Sequence, residues 1–446
     1  MITNLAQGNP ARTVFRFSLP ILGSMLFQQL YNIMDSVIAG RYAGEDALAA
    51  IGASYPITMI FMAIAVGCNL GTTVVISQRF GAGDNKGVRD AAVTAFVSCF
   101  VISAAMTVIG VTLSGAMTDM LGTPAEIRGQ AVTYLSIYTG GMIFLFMYNI
   151  STGIFTALGD SKTPFLFLVL SSVSNVVLDI IMVKPLGIAG VAWATFIAQG
   201  GCGVLAMAVL IVRMKSLPGA GGRFSFEMLR SIIRLSVPSI LQQSFISVGN
   251  MFVQSVVNSF GGSVIAGYSA AIKINTLCIM SLTALGNALS SYTAQNIGAK
   301  DIPRVRSGVR ASAVMGILLA AALSVISMLF SSQLIGLFTE EKTAEVIDSG
   351  RMFLMIVSPF YSVICCKLLS DGVIRGAGAM KFFMISTFID LILRTALAYV
   401  FKQTVGTAWS IWLSWPIGWI IGTVFAVAFY VKGVWIPEHL KNSQAV

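Results

Sequence analysis

The chain has 446 residues, of which 56% are hydrophobic and 10% charged, with a formal net charge of +10 at pH 7 and a mean hydropathy of +0.85. A soluble domain carries about 25% charged residues, so this composition excludes a water-soluble enzyme or nucleic-acid-binding module and places the chain in lipid. All six cysteines fall in apolar runs without disulfide or zinc spacing, and the single His439 lies in a polar tail, which argues against a histidine-based metal or catalytic centre.

A membrane-spanning helix needs about 20 mostly apolar residues. Arg12 and Arg16 precede the first such run, which is longer than a signal-peptide core and lacks a convincing cleavage site, so it reads as a retained helix. Twelve runs follow in order: 15–39, 47–76, 92–118, 131–157, 163–183 and 188–213, then 228–258, 263–290, 306–332, 349–375, 381–402 and 407–431. An all-α polytopic protein is predicted, with an N-terminal lobe over 1–213, a Gly- and Arg-rich linker over 214–227 and a C-terminal lobe over 228–446. The connections after helices 2, 6 and 8 carry Arg79, Lys86, Arg89, Arg213, Lys215, Arg223, Arg230, Lys300, Arg304, Arg306 and Arg310, whereas "RYAGEDAL" and "TEEKTAEVIDSGR" on the other side are poorer in bases. By the positive-inside rule both termini and the linker are cytoplasmic, and the net charge reflects topology rather than nucleic-acid binding.

The two sets of six repeat each other. "RFSLP" from Arg16 recurs as "RLSVP" from Arg234, an interval of 218 residues that carries Asn32 onto Asn250. At 217, "QRFGAGDNKGVR" from Gln78 matches "QNIGAKDIPRVR" from Gln295; at 219, "GIFTALGDSK" from Gly153 matches "GVIRGAGAMK" from Gly372. Since the interval spans an even number of helices, the halves share one orientation, related by an axis along the membrane normal.

Buried charges break that symmetry. Asp35 lies about two-thirds of the way through helix 1, where an ionisable group costs roughly 2.5–3.5 kcal/mol on insertion scales, and its repeat counterpart is Val253. Asn175 and Asp179 are four residues apart on helix 5, hence on one face, with counterparts Arg394 and Ala398. Their oxygens suit a hard cation such as Na+ or a proton relay; a polar pair that only packs helices is the plainer reading. In the second lobe Asp390 with Arg394, and Lys367 with Asp371, repeat the i,i+4 spacing and can neutralise themselves as structural pairs or gating elements. Lys273 has no acid nearby in sequence and either snorkels to the interface or faces a cavity. The 22 Met and 28 Phe suit a cavity that accepts varied apolar shapes, although lipid-facing filler explains most of them.

With "FSLP...YNIMDSVIAG", "QRFGAGD", "TALGDSKTP" and "SNVVLDIIMVKPLGIAGVAWAT" added to the paired six-helix halves, the chain resembles the multidrug and toxic compound extrusion (MATE) family over nearly its whole length. That resemblance implies two bundles forming a V around a central cavity, and efflux driven by an inward H+ or Na+ gradient. In the prokaryotic branch with an N-lobe cation site, the functional motifs match Asp35, Asn175 and Asp179, and more loosely Thr195; Na+ would bind at the first three. Asn32, Asn149, Lys273, Asp371, Asp390 and Arg394 are further candidates for cavity or gating roles. The acids that another branch carries on helices 7 and 10 are not matched: helix 7 has none after Glu227, and Asp371 lies near the end of helix 10.

The expected protein is therefore a monomeric secondary antiporter of the cytoplasmic membrane, without cofactor or enzymatic activity, exchanging amphipathic, mostly cationic compounds for H+ or Na+. The rival is a lipid-linked saccharide flippase of the same broad superfamily, which would place Lys273, Lys367 and Arg394 against an anionic headgroup. An intramembrane hydrolase built on Asp35 and Asp179 is a distant third.

Overall fold

Long apolar stretches interrupted by Gly, Pro and Asp turns fold as helices because, in lipid, each backbone polar group must find its partner within its own segment. In a computed structural model of the chain, which describes residues 3–339 and 343–441, the elements are helical throughout. The first half holds α1 (Pro10–Ile38), α2 (Glu45–Gly81), α3 (Asn85–Met120), α4 (Ala125–Gly140), α5 (Met142–Ala157), α6 (Lys162–Leu186) and α7 (Ile188–Lys215). The second holds α8 (Phe226–Val257), α9 (Gly262–Gly298), α10 (Ile302–Leu329), α11 (Ser331–Phe338), α12 (Ala344–Val357), α13 (Tyr361–Gly376), α14 (Met380–Thr404), α15 (Ala408–Trp412), α16 (Ser414–Val431) and the short α17 (Glu438–Lys441). The Glu340–Lys342 part of the acid-rich loop lies outside the described residues.

Among the described residues nine helical segments are long and apolar enough to cross a membrane, and the bent pair α4 and α5, 46° apart, brings the number to ten. Gly140 and Gly141 mark that bend, and Pro359 marks the matching break between α12 and α13, both residue types being common causes of kinks. The other two expected spans, α1 and α8, have 29 and 32 residues but carry the polar stretches "QQLYN" and "QQSF".

The repeat recurs in the backbone. Asp84 caps α3 by accepting from Gly87 N at 2.8 Å, and Asp301 caps α10 by accepting from Arg304 N at 2.9 Å, a contact of about 1 kcal/mol each. Before them, Gly83 (φ 72°) and Lys300 (φ 61°) occupy the same left-handed turn, which in the lysine costs roughly 1–2 kcal/mol. Gly44 and Gly261 match at φ 93° and 94°. The interval falls from 218 at Asn32/Asn250 to 217 at Gly44/Gly261, so the first half holds one extra residue between those points. It lies where Ala39–Ala43 form a π turn, whereas the second half tightens into a 3₁₀ turn at Asn258–Phe260. An i→i+5 turn takes up the additional residue without breaking the helix, and such turns favour functional sites.

The chain divides into two compact units: Met1–Asn4 with Gly23–Leu241, and Leu5–Leu22 with Gln242–Val446. Two helices change unit along their length. α1 begins in the second unit and ends in the first, and α8 does the reverse, each switching two or three residues past its internal proline, Pro20 or Pro238. Within the first unit α8 is pressed onto α2: a Cβ on Gly71 would meet Ser236 Oγ at 2.2 Å, and one on Gly67 would meet Ile240 Cγ1 at 2.3 Å. Small residues permit that approach.

The linker is not slack. Asp90 Oδ1 accepts from Gly222 N at 2.7 Å and Arg223 N at 2.9 Å, Arg89 donates to the carbonyls of Leu217 and Gly219, and Ser225 N donates to Thr94 Oγ1. Proteolysis of purified protein in detergent tests this clamp. Asp90→Ala is expected to speed cleavage within residues 219–222 about fivefold or more, the effect of losing roughly 1 kcal/mol of local order; equal rates would mean that the contacts do not hold the segment.

Candidate functional site

The start of α7 lies directly on α6, since a Cβ on Gly190 would fall 2.3 Å from the Met182 carbonyl oxygen. That approach sets Thr195 opposite Asn175. With its amide turned so that both ends are satisfied, Asn175 donates to Asp179 Oδ2 at 2.9 Å and accepts from Thr195 Oγ1 at 3.2 Å and Thr195 N at 3.0 Å. Asn175 and Asp179 are both buried. Asp35 arrives from α1, one turn before the π turn, and its carboxyl lies within hydrogen-bonding reach of Asp179.

Tyr31, one turn earlier on α1, reaches Thr195, and Tyr134 of α4 stands beside both acids. Tyr134 packs on the buried cluster Ile38, Ala39, Val183 and Val191, which fixes α1, α6 and α7 around the pair. Among the described residues neither carboxyl has a lysine or arginine partner, and one oxygen of each, Oδ1, lacks a hydrogen-bond donor. Two carboxylates in contact cannot both stay charged without something positive between them. The donor set of carboxyl, hydroxyl and phenol oxygens fits a shared proton or a hard monovalent cation.

The four residues expected to act together are thus brought together. Asn149 lies elsewhere, in a polar seam between α2 and α5: its Nδ2 donates to Leu145 O at 2.9 Å and its carbonyl accepts from Asn69 Nδ2 at 2.7 Å. Asn32 is exposed on α1 and donates to Gln29 Oε1 at 3.2 Å; Lys273 is exposed on α9. Tyr31, Tyr134 and Asn69 escape sequence reasoning because an aromatic or amide residue in an apolar run looks like packing; only the one-turn spacing of Tyr31 from Asp35 hints at a shared face.

The second unit holds a different arrangement. Lys367 binds Asp371 Oδ2 at 2.8 Å, as the i,i+4 spacing predicts, and also approaches Asp390 Oδ2 at 3.8 Å. Ser386 adds a hydrogen bond to Asp371 Oδ1 at 2.6 Å. The expected ion pair between Asp390 and Arg394 is not made: Lys367 takes the carboxylate, while Arg394 lies over the Trp415 ring at 4.2 Å and donates to Asn250 Oδ1 at 3.1 Å. Arg375, which sequence reasoning passed over, is buried beside them and donates to Asn287 Oδ1 at 2.7 Å and Ser290 Oγ at 3.3 Å.

Apolar spans, a duplicated helical bundle and an acid pair in its interior define a multi-pass membrane protein with a built polar site. The MatE family model matches residues 20–181 and 238–400, and the chain belongs to this family. The two matches begin 218 residues apart, the interval already read from "RFSLP" and "RLSVP". The probable multidrug resistance protein YpnP of Bacillus subtilis is 31% identical over 441 residues, covering 97% of both chains. The probable multidrug resistance protein NorM of Thermotoga maritima is 23% identical over 443 residues, covering 95% of this chain and 93% of that one. An outward-facing structure of a multidrug resistance MATE family transporter of the MOP superfamily superposes with a TM-score of 0.91 at 24% identity, covering 98% of each chain; that likeness shows the fold.

Proposed function

We propose that the protein is a secondary antiporter that exports amphipathic, mostly cationic organic compounds in exchange for H+ or Na+. The observation that carries this reading is the Asp35–Asp179 pair, which has no basic partner among the described residues and an unpartnered oxygen on each acid. Such a pair binds a cation or proton strongly in one arrangement of the helices and must release it in another, and a substrate that favours the second arrangement is thereby coupled to the ion. The similarity to proteins named as probable multidrug resistance proteins supports the export of varied compounds.

Counting α1, α8 and the bent pair with the nine segments makes twelve spans, an even number that, with the basic connections, supports reading both termini and the linker as cytoplasmic and the protein as one of the cytoplasmic membrane. A tenfold ion gradient supplies about 1.4 kcal/mol, and one charge crossing 100 mV about 2.3 kcal/mol. The protein acts as a monomer, without cofactor. The flippase alternative is weakened where Lys367 is tied to two carboxylates.

Proteoliposomes carrying the purified protein, given a pH gradient and a Na+ gradient separately, test the proposal with ethidium as the amphipathic cation. One gradient is expected to drive accumulation against the dye's own gradient. Dye movement that ignores both gradients would overturn antiport.

A further inference from the structure

The repeat places a second site at the position in the C-terminal unit that corresponds to the carboxylate pair. Asn175 becomes Arg394, Asp179 becomes Ala398, Asp35 becomes Val253 and Thr195 becomes Ser414. Val253, Ala398, Ser414 and Arg394 are all buried. Where the first unit carries two acids and no base, the second carries a guanidinium.

Two donors there are left without acceptors. Arg394 spends one Nη2 hydrogen on Asn250, while its Nε–H has no partner; Trp415, whose ring lies 4.2 Å beneath the guanidinium, has an unpartnered indole N–H. The two residues are 5% and 7% exposed, so water does not readily serve either group, and a buried unmet donor is costly. Charge points the same way. Among the described residues of this unit the buried Lys, Arg, Asp and Glu side chains are Lys367, Arg375 and Arg394 against Asp371 and Asp390, one more base than acid. Asp390 Oδ1 is also unpartnered, but it faces α16, 2.8 Å from where a Cβ on Gly418 would stand, and Lys367 lies against the other oxygen. Around Arg394 and Trp415 stand Tyr268, Phe353, Trp412 and Trp419, with ring centroids 4.8–5.9 Å apart in successive contact.

We infer that the C-terminal unit binds an anionic group, a carboxylate or phosphate borne on an apolar body, through the Nε–H of Arg394 and the indole N–H of Trp415. Guanidinium and carboxylate or phosphate match in geometry as well as charge, and the aromatic rings beside the two donors are the apolar surface that the body would meet. The site is distinct from the acid pair and does not depend on ion coupling.

Titration of the purified protein in neutral detergent with 2-naphthoate, and with neutral 2-naphthalenemethanol as the isosteric control, followed by tryptophan fluorescence, tests the inference. Naphthoate is expected to bind the wild type at least about tenfold more tightly than the alcohol, and Arg394→Gln should remove that preference, as loss of a charged hydrogen bond does. Trp415→Phe keeps the stacking ring and deletes only the N–H, so it should weaken naphthoate several-fold and leave the alcohol unchanged. Asp35→Asn should change neither, which separates this site from the coupling site. Repeating the titration in nanodiscs of phosphatidylglycerol and of phosphatidylcholine identifies the source: competition by the anionic lipid alone assigns a lipid headgroup, and none assigns a free solute. Equal affinity for acid and alcohol, or naphthoate binding unchanged in folded Arg394→Gln and Trp415→Phe, would overturn it.

Discussion

Asp35→Asn and Asp179→Asn are each expected to abolish gradient-driven transport while the protein folds and still binds substrate. Asparagine keeps the shape of the side chain and removes the titrating charge, so the helices can pack as before. For one-for-one exchange a tenfold ion gradient sustains about a tenfold substrate ratio; in either variant that ratio should fall to one. The double variant should be no worse than the singles, because groups that act as a unit lose their effect together. Measured in proteoliposomes, a ratio held near ten by both single variants would move the coupling site away from the first unit.

Lys367→Met should be the most damaging single change to stability in the second unit. The lysine lies 2.8 Å from Asp371 and 3.8 Å from Asp390, and all three side chains are buried. Removing it leaves two carboxylates without their cation, for which about 3–5 kcal/mol is expected. Neutralising the acids at the same time, in Lys367→Met/Asp371→Asn/Asp390→Asn, should restore most of that loss. Thermal unfolding in detergent distinguishes the cases: a single variant as stable as the triple would show that the lysine is not their counter-ion.

The sequence discloses the elements that depend on composition and spacing. Apolar runs mark most helices, and comparing the halves picks out Asp35, Asn175 and Asp179 as acids and an amide that the other half lacks. The i,i+4 rule finds Lys367 with Asp371 because both lie on one helix, and fails for Asp390 with Arg394 because a lysine from α13 and a tryptophan from α16 offer each a better partner. Partners across helices depend on which faces meet, and no local spacing encodes that. The same holds for the linker, where a Gly-rich composition suggests slack but Arg89, Asp90 and Thr94 supply the missing hydrogen bonds. The one-residue slip in the repeat interval, by contrast, is visible in sequence, and the π turn after Asp35 explains it.

Because α1 and α8 each change unit midway, neither unit is complete in the order in which the ribosome delivers the chain. Leu5–Leu22 is made at the start, yet its hydrogen-bond partners Gln295, Asn296 and Arg304 emerge only after the whole first half and part of the second. The first unit, in turn, lacks a wall until Phe226–Leu241 has been synthesised. A fragment ending at the linker would therefore leave Gly67 and Gly71 facing lipid where Ile240 and Ser236 belong. The duplicated halves have become mutually dependent, and the point in the sequence that most resembles a seam is one where the chain cannot be divided without loss.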